Sequence, residues 1–207
     1  MDFKKLFIKL RAPLYRIGLK NYTFSIISNN CWGGIVSRDR GIVYNSPTAG
    51  LFFFADDYIK FLTNLKYYLS LDMTQISVNQ SKYAQVLLKQ YDENLIIGVL
   101  DDVEVIMLHY KSFEEAKNKW ERRKKRINFD NLLVKFSDQN QFEDKHFQQF
   151  LQLDYKNKLF ITTNPKFASS ITCVLKDTQN AGYAKDDIKP SFRVLNINKL
   201  LNDLEKK

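Results

Sequence analysis

One stretch of this chain constrains its folding more than any other. The strand-like run Phe24-Ser25-Ile26-Ile27 opens directly into Ser28-Asn29-Asn30-Cys31-Trp32-Gly33-Gly34. An apolar β run that empties into a polar, glycine-containing loop suits an open α/β sheet, whose ligands bind outside the carboxyl ends of the strands. Asparagine tolerates unusual backbone angles, and paired glycines let a backbone approach its neighbour closely. Since no single residue in the stretch dictates a reaction, it points to a site more firmly than to a chemistry.

The rest of the chain alternates in the same way. Asp56 or Asp57 can cap a helix carrying Tyr58, Phe61, Leu62, Leu65, Tyr68 and Leu69 on one face. Weaker helical character runs from Ser81 to Gln90. Leu95 to Leu100 and Val103 to Leu108 are β-rich runs separated by Asp101-Asp102, which predicts a tight hairpin. Ser112-Phe113-Glu114-Glu115 is a capping-box pattern opening a helix that buries Phe113, Ala116, Trp120 and Ile127. Strands follow at Asn131 to Phe136, Lys158 to Thr162 and Ile171 to Leu175, with a helix around Phe142 to Leu151 and a last one from about Asn196. The alternation predicts α/β architecture: residues 21–207 as a single three-layer α/β/α domain with a mixed β-sheet, and residues 1–20 as a basic amphipathic N-terminal helix.

Charge is unevenly placed on this chain of net charge +9. Residues 1–20 hold six basic residues against Asp2, a balance of +5, and residues 111–126 hold eight against three acids, again +5. Two basic surfaces, rather than a basic protein, need explaining. In the first, Phe3, Leu6, Phe7, Leu10, Leu14 and Ile17 recur at helical spacing, with a bend or restart expected near Pro13. Such a helix suits an anionic membrane surface, or equally an arm packed on its own domain or on a second subunit. Only two cysteines occur, far apart, and no apolar run reaches about 18 residues, so a cytoplasmic protein is expected, peripheral at the inner face of the cell membrane if the helix docks there.

Three groups of residues could carry chemistry. Cys31 is a candidate nucleophile if a base or a helix N-terminus lowers its pKa, and of the two histidines, His109 and His146, His109 is the better partner because it ends a strand. The opposing reading makes Cys31 a small packing residue. Asp102 and Glu104 would share one strand face, as an acid/base pair or a Mg²⁺ or Mn²⁺ site requires, although turn chemistry alone accounts for Asp101-Asp102. Arg122, Arg123 and Arg126 could grip phosphate, or simply form a solvated face. GxGxxG, GxxxxGK[ST], GxSxG and HExxH patterns are all missing, which argues against a dinucleotide site, a P-loop, a hydrolase elbow and a zincin helix.

Taken together, three segments resemble a bacterial domain family often labelled exopolysaccharide biosynthesis protein: residues 28–34, Ser46-Pro47-Thr48-Ala49-Gly50-Leu51-Phe52, and His109-Tyr110 with Ser112 to Ala116 and Lys119-Trp120 through Asn128. The resemblance implies a three-layer α/β/α fold and an association with capsular or exopolysaccharide production, with no catalytic residues to carry over. The expected activity is transfer of a sugar or other substituent, with a nucleotide-sugar or lipid-linked glycan as partner and no nucleic acid. In that reading Cys31, His109 and Asp102 are the catalytic candidates. Asn29 and Asn30 contact hydroxyls, Trp32 or Tyr110 stacks on a sugar ring, and Arg122 and Arg123 hold phosphate. The alternative is a noncatalytic glycan- or lipid-binding accessory protein.

Overall fold

In the computed structural model, residues 10–177 and 179–204 are described. The first strand, β1 (Ser25–Ser28), runs into helix α1 (Trp32–Asp39), and a coil then leads to α2 (Ala55–Thr63) and α3 (Leu65–Ser70). Next come β2 (Thr74–Ile76), α4 (Ala84–Gln90), the hairpin β3 (Ile97–Leu100) and β4 (Val103–Ile106), and α5 (Phe113–Lys124). The chain continues through β5 (Leu132–Ser137), α6 (Asp144–Gln152), β6 (Asn157–Thr162), β7 (Thr172–Val174), α7 (Ile188–Val194) and α8 (Ile197–Asp203).

The α/β class stands, with a refinement to the sheet. Parallel and antiparallel pairings, expected in one mixed sheet, lie in two sheets: a parallel one in the order β1-β5-β6-β7 and an antiparallel one in the order β2-β3-β4. Register in the first is set by Ile26 opposite Leu133 and Phe136 opposite Phe160. Residues 44–54 separate the sheets and cover the free edge of β1. Ser28 N–H donates to Thr48 Oγ1 (3.2 Å), Phe53 N–H to the Asn29 carbonyl (3.0 Å), and Phe52 bridges to Ile106 of β4. The run Leu51 to Phe54 therefore joins two sheets instead of forming a strand of its own.

Alternation along the strands builds two apolar layers. On one face Ile27, Val134, Phe136 and Phe160 pack with Tyr58 and Phe61 of α2, Trp120 of α5 and Phe147 and Phe150 of α6. On the other Ile26, Leu133, Leu159 and Ile161 pack with Trp32 and Val36 of α1 and with Ile197 and Leu201 of α8. This is the expected three-layer arrangement. The Tyr58 hydroxyl, buried between β1 and β5, lies 2.9 Å from the Ile27 carbonyl and 2.8 Å from that of Lys135. A third apolar cluster, with Phe52, Tyr83, Leu87 and Ile106, lies beside the antiparallel sheet.

Helices α1 and α7, which carry no strong periodic signal, are short elements whose packing does more than their propensity. A Cβ on Gly33 would stand 2.7 Å from Ile26 Cγ2, so α1 seats on β1 only because that residue is glycine. Of the N-terminal helix, residues 10–15 are helical and include Pro13, while the part expected over 1–9 falls outside the described residues. Its end is fastened to α8: Asn198 Nδ2 donates to the Tyr15 and Ile17 carbonyls (both 2.8 Å) and Asn202 Nδ2 to that of Gly18 (2.8 Å).

Candidate functional site

The loop after β1 spends most of its polar groups on itself. Asn30 Oδ1 accepts from Trp32 N–H (3.1 Å) and Ser28 Oγ from Gly33 N–H (3.2 Å), satisfying two donors that the start of α1 leaves unpaired. Trp32 is wholly buried, with Nε1 donating to Ser191 Oγ (2.9 Å). It therefore offers no sugar platform, contrary to expectation, because α7 covers the ring that the sequence leaves without a partner. Asn29, also buried, accepts from Lys135 Nζ (3.2 Å) and Ser137 Oγ (3.3 Å). Asn30 donates through Nδ2 to the Asp187 carboxylate (3.0 Å) and to Gln139 Oε1 (2.9 Å). Asn29 and Asn30 thus brace the carboxyl edge of the sheet instead of presenting amides to a ligand.

At the centre of this network the Lys135 ammonium is paired with Asp187 and reaches Asn30 Oδ1 (3.2 Å) and Ser137 Oγ (3.1 Å). Burial pulls the Lys135 pKa below its ordinary value, and Asp187 opposes the shift. Lys135 and Asp187 lie 52 residues apart, so no local spacing pairs them. The signal was a lysine set in the apolar run Leu132-Leu133-Val134-Lys135-Phe136, where a strand buried on both faces has no other use for a charge.

Cys31 and Gly34 reach a cleft of about 430 Å³, where they meet Ala49 and Gly50, then His109 and Tyr110, then Lys119 and Arg123 of α5. These residues come from the three segments that share the family resemblance, brought together from across the chain. Gly50 makes the meeting possible. Its φ is +85°, its carbonyl accepts from His109 N–H (3.2 Å), and a Cβ there would lie 3.3 Å from the Tyr110 hydroxyl. Tyr110 and Arg123 Nη1 both donate to the Ala49 carbonyl, Arg123 at 3.1 Å, and Arg123 Nη1 also donates to the Tyr110 oxygen (2.8 Å).

The lining of this cleft is cationic. Arg38, Lys119 and Arg123 contribute to it and no carboxylate does. Arg38 is paired with Asp39 (2.8 Å) and Lys119 with Glu115 (2.5 Å), but among the described residues no acid pairs with Arg123, which is only 7% exposed and lies over the Tyr44 ring (4.6 Å). Its Nη1 takes both hydrogen bonds, leaving Nε and Nη2 for a ligand. Arg122, one position away, is exposed and turned out of the cleft, so the helix separates the two arginines that the sequence groups together. Tyr110 is half-buried, and Lys119 Nζ sits 5.2 Å over its ring, where a sugar was expected to stack.

Cys31 and His109 share the cleft without a hydrogen bond between them. The thiol contacts the Leu51 carbonyl (3.7 Å), and burial pushes its pKa up, partly offset by the Gly50 backbone N–H. His146 lies elsewhere, buried in α6 between Glu143 N–H and Asp56 (both 2.8 Å). Asp102 also stands apart. It occupies the turn after Asp101, whose φ is +56°, and accepts from Lys60 Nζ (2.7 Å) and Tyr68 hydroxyl (2.8 Å). Glu104 is buried on Ser81 and Lys82 N–H (2.9 Å). The pair expected to share a strand face is therefore divided between turn and core. Among the described residues no group of three or more His, Cys, Asp or Glu is arranged to hold a metal ion, and no helix is long and apolar enough to cross a membrane.

Residues 2–189 match the family model described as domain of unknown function DUF1919. The chain belongs to that family. A relative of this DUF1919 domain is an uncharacterized protein of Haemophilus influenzae, 31% identical over 147 residues, which amount to 71% of this chain and 65% of that protein. The chain thus spans somewhat less than two thirds of that relative's length. Neither description carries the exopolysaccharide association that the motifs imply.

Proposed function

We propose that the Arg123 cleft of this DUF1919 domain holds the phosphate of a nucleotide-sugar or lipid-linked glycan, and that the protein transfers a sugar or other substituent in the synthesis of a surface polysaccharide. The supporting observation is Arg123 itself. A guanidinium buried without a carboxylate partner is costly unless an anion completes it, and its planar fork suits a phosphate oxygen pair. Lys119 and Arg38 would add charge around a pyrophosphate. His109, exposed at the rim, is placed to take the proton of an acceptor hydroxyl as that oxygen bonds to the transferred group and the phosphate departs against Arg123. Cys31 has a packing role here, since its raised pKa keeps it as a thiol.

Placement at an anionic membrane belongs to the same reading. Leu10, Leu14 and Ile17 are 68%, 65% and 72% exposed along one stripe, with Arg16 and Lys20 nearby, a combination that interfacial helices use. A second reading, a noncatalytic binding protein, draws on the thiol held protonated and on the missing contact between it and His109.

Titration calorimetry with inorganic pyrophosphate tests the cleft. The full chain should bind it, and Lys119→Ala and Arg123→Lys should each weaken binding about tenfold or more, the loss of one charged contact. Failure of the folded chain to bind pyrophosphate removes the proposal. If binding is intact but the full chain transfers no glycan, the binding-protein reading replaces the enzyme, and transfer that survives His109→Ala removes His109 as the base.

A further inference from the structure

A second cleft, of about 640 Å³, lies at the carboxyl ends of β5 and β6, and its lining differs in kind from that of the Arg123 cleft. Five amide side chains line it, Gln90, Gln139, Asn140, Gln141 and Asn164, as many as the aromatic rings there. Except for the exposed Lys185, the charges there have partners. Asp144 is paired with Lys166 (2.7 Å), and the buried Asp138 carboxylate accepts from Thr162 Oγ1 (2.5 Å) and Ala184 N–H (2.9 Å). Gln139 is committed as well, receiving Asn30 and donating to the Ala184 and Lys185 carbonyls. The side chains of Gln90 and Gln141, by contrast, are exposed and make no hydrogen bond to a described residue. Asn164 uses only Oδ1, for Lys166 N–H (3.0 Å), and keeps its NH₂.

Two features mark this edge as more than a surface dent. Asn140 and Gln141 are successive non-glycine residues in left-handed backbone, with φ of +57° and +62°, a conformation that is disfavoured for side-chain-bearing residues and that gathers at binding sites. Asn140 is held there by its own Nδ2, which donates to the Phe53 carbonyl (3.1 Å). Opposite, the loop that carries Tyr183, 43% exposed, is shaped by Asp177, whose carboxylate collects the N–H groups of Gln179, Ala181 and Gly182.

We infer that this second cleft binds a neutral saccharide, with Gln141 and Asn164 meeting its hydroxyls and Tyr183 packing on the face of a sugar ring. A hydroxyl is both donor and acceptor, and an amide is the uncharged side chain that answers in both senses. A phosphate would find little net charge here and a metal no ligand set. The inference rests on the glycan reading above and names where the sugar part is held. A third hollow shares Gln90 with this cleft and Tyr110 with the Arg123 cleft.

Saturation-transfer NMR on the full chain with glucose, galactose and N-acetylglucosamine at millimolar concentration reads the site directly. At least one sugar should show transfer. Gln141→Ala and Tyr183→Ala, both at exposed side chains, should each reduce it at least threefold while leaving pyrophosphate binding unchanged, and Lys119→Ala should do the opposite. No transfer from any of the three sugars, or transfer that survives both substitutions, overturns the saccharide site even where pyrophosphate binds. Sugar binding with no pyrophosphate binding instead upholds this site and removes the phosphate reading.

Discussion

Lys135 and Asp187 are an ion pair from which water is excluded, the lysine side chain 0% and the aspartate 1% exposed, and it ties the end of β5 to the residue that precedes α7. Two buried charges are tolerable only when each has its partners, and here Asn29, Asn30 and Ser137 supply the remaining hydrogen bonds. Removing one partner strands the other. Lys135→Met or Asp187→Leu should each cost about 3–5 kcal/mol, a drop in Tm of about 10 °C. The double variant should cost clearly less than the two single losses together, as a coupled pair requires. Thermal melts of the four proteins check this, and strict additivity would mean that the pair is not coupled.

Cys31 should be a sluggish thiol. Its folded pKa lies above the ordinary 9.0 because burial disfavours the thiolate, so at pH 7.5 it should react with iodoacetamide more slowly than free cysteine. The rate should climb only above pH 9, as the proton is lost. Peptide mapping after timed alkylation separates Cys31 from Cys173, which burial raises in the same direction. Faster labelling of Cys31 than of free cysteine at pH 7 would restore it as a nucleophile.

Gly33 is where β1 and α1 touch. The Cβ of Gly33→Ala would fall 2.7 Å from Ile26 Cγ2 and 3.1 Å from Ser28 Oγ, forcing α1 away from the sheet. A destabilisation of about 1–3 kcal/mol is expected in urea titrations, the usual cost of overpacking a close contact. Gly18→Ala is the control for volume, since nothing lies within 4 Å of a Cβ there and only its positive φ opposes the change.

Much of this was readable from residue pattern, and what was not has physical causes. Strands β1, β3 to β7 and the Ser112 cap, whose Oγ accepts from Glu115 N–H (3.2 Å), follow from apolar runs, turn residues and capping chemistry that act locally. Cys31 and His109 share a cleft at the strand ends, where sites gather, while Asp102, expected with them, lies elsewhere. Local rules fail where partners are distant. Trp32 and Asn30 look like ligand contacts until α7 and Asp187, more than 150 residues on, close over them. Asp102 looks like a ligand pair with Glu104 until the turn rotates it toward Lys60 and Tyr68. The amides around Asn140 give no periodic signal at all. Their meaning lies in a left-handed turn and a loop from residues 177–185.

The exposed stripe of the N-terminal helix leads to the last prediction. Ala12 and Leu19 are buried and fasten the segment to the domain, which leaves Leu10, Leu14 and Ile17 facing outward with basic residues beside them. Apolar side chains at that exposure gain by entering the interface of a bilayer, and each basic residue near an anionic surface adds about 1 kcal/mol at most, screened over a Debye length of about 10 Å at 0.1 M salt. The full chain should therefore sediment with vesicles of phosphatidylserine and phosphatidylcholine at low ionic strength, and less so in 0.5 M salt. Leu14→Glu with Ile17→Glu should abolish sedimentation without moving the Tm, because neither side chain is packed. Arg16→Glu with Lys20→Glu should remove only the salt-sensitive part. If the full chain stays in the supernatant at low salt, the stripe is not a lipid surface. In that case a doubling of apparent mass, which Leu14→Glu reverses, would make it the seam between two copies of the chain.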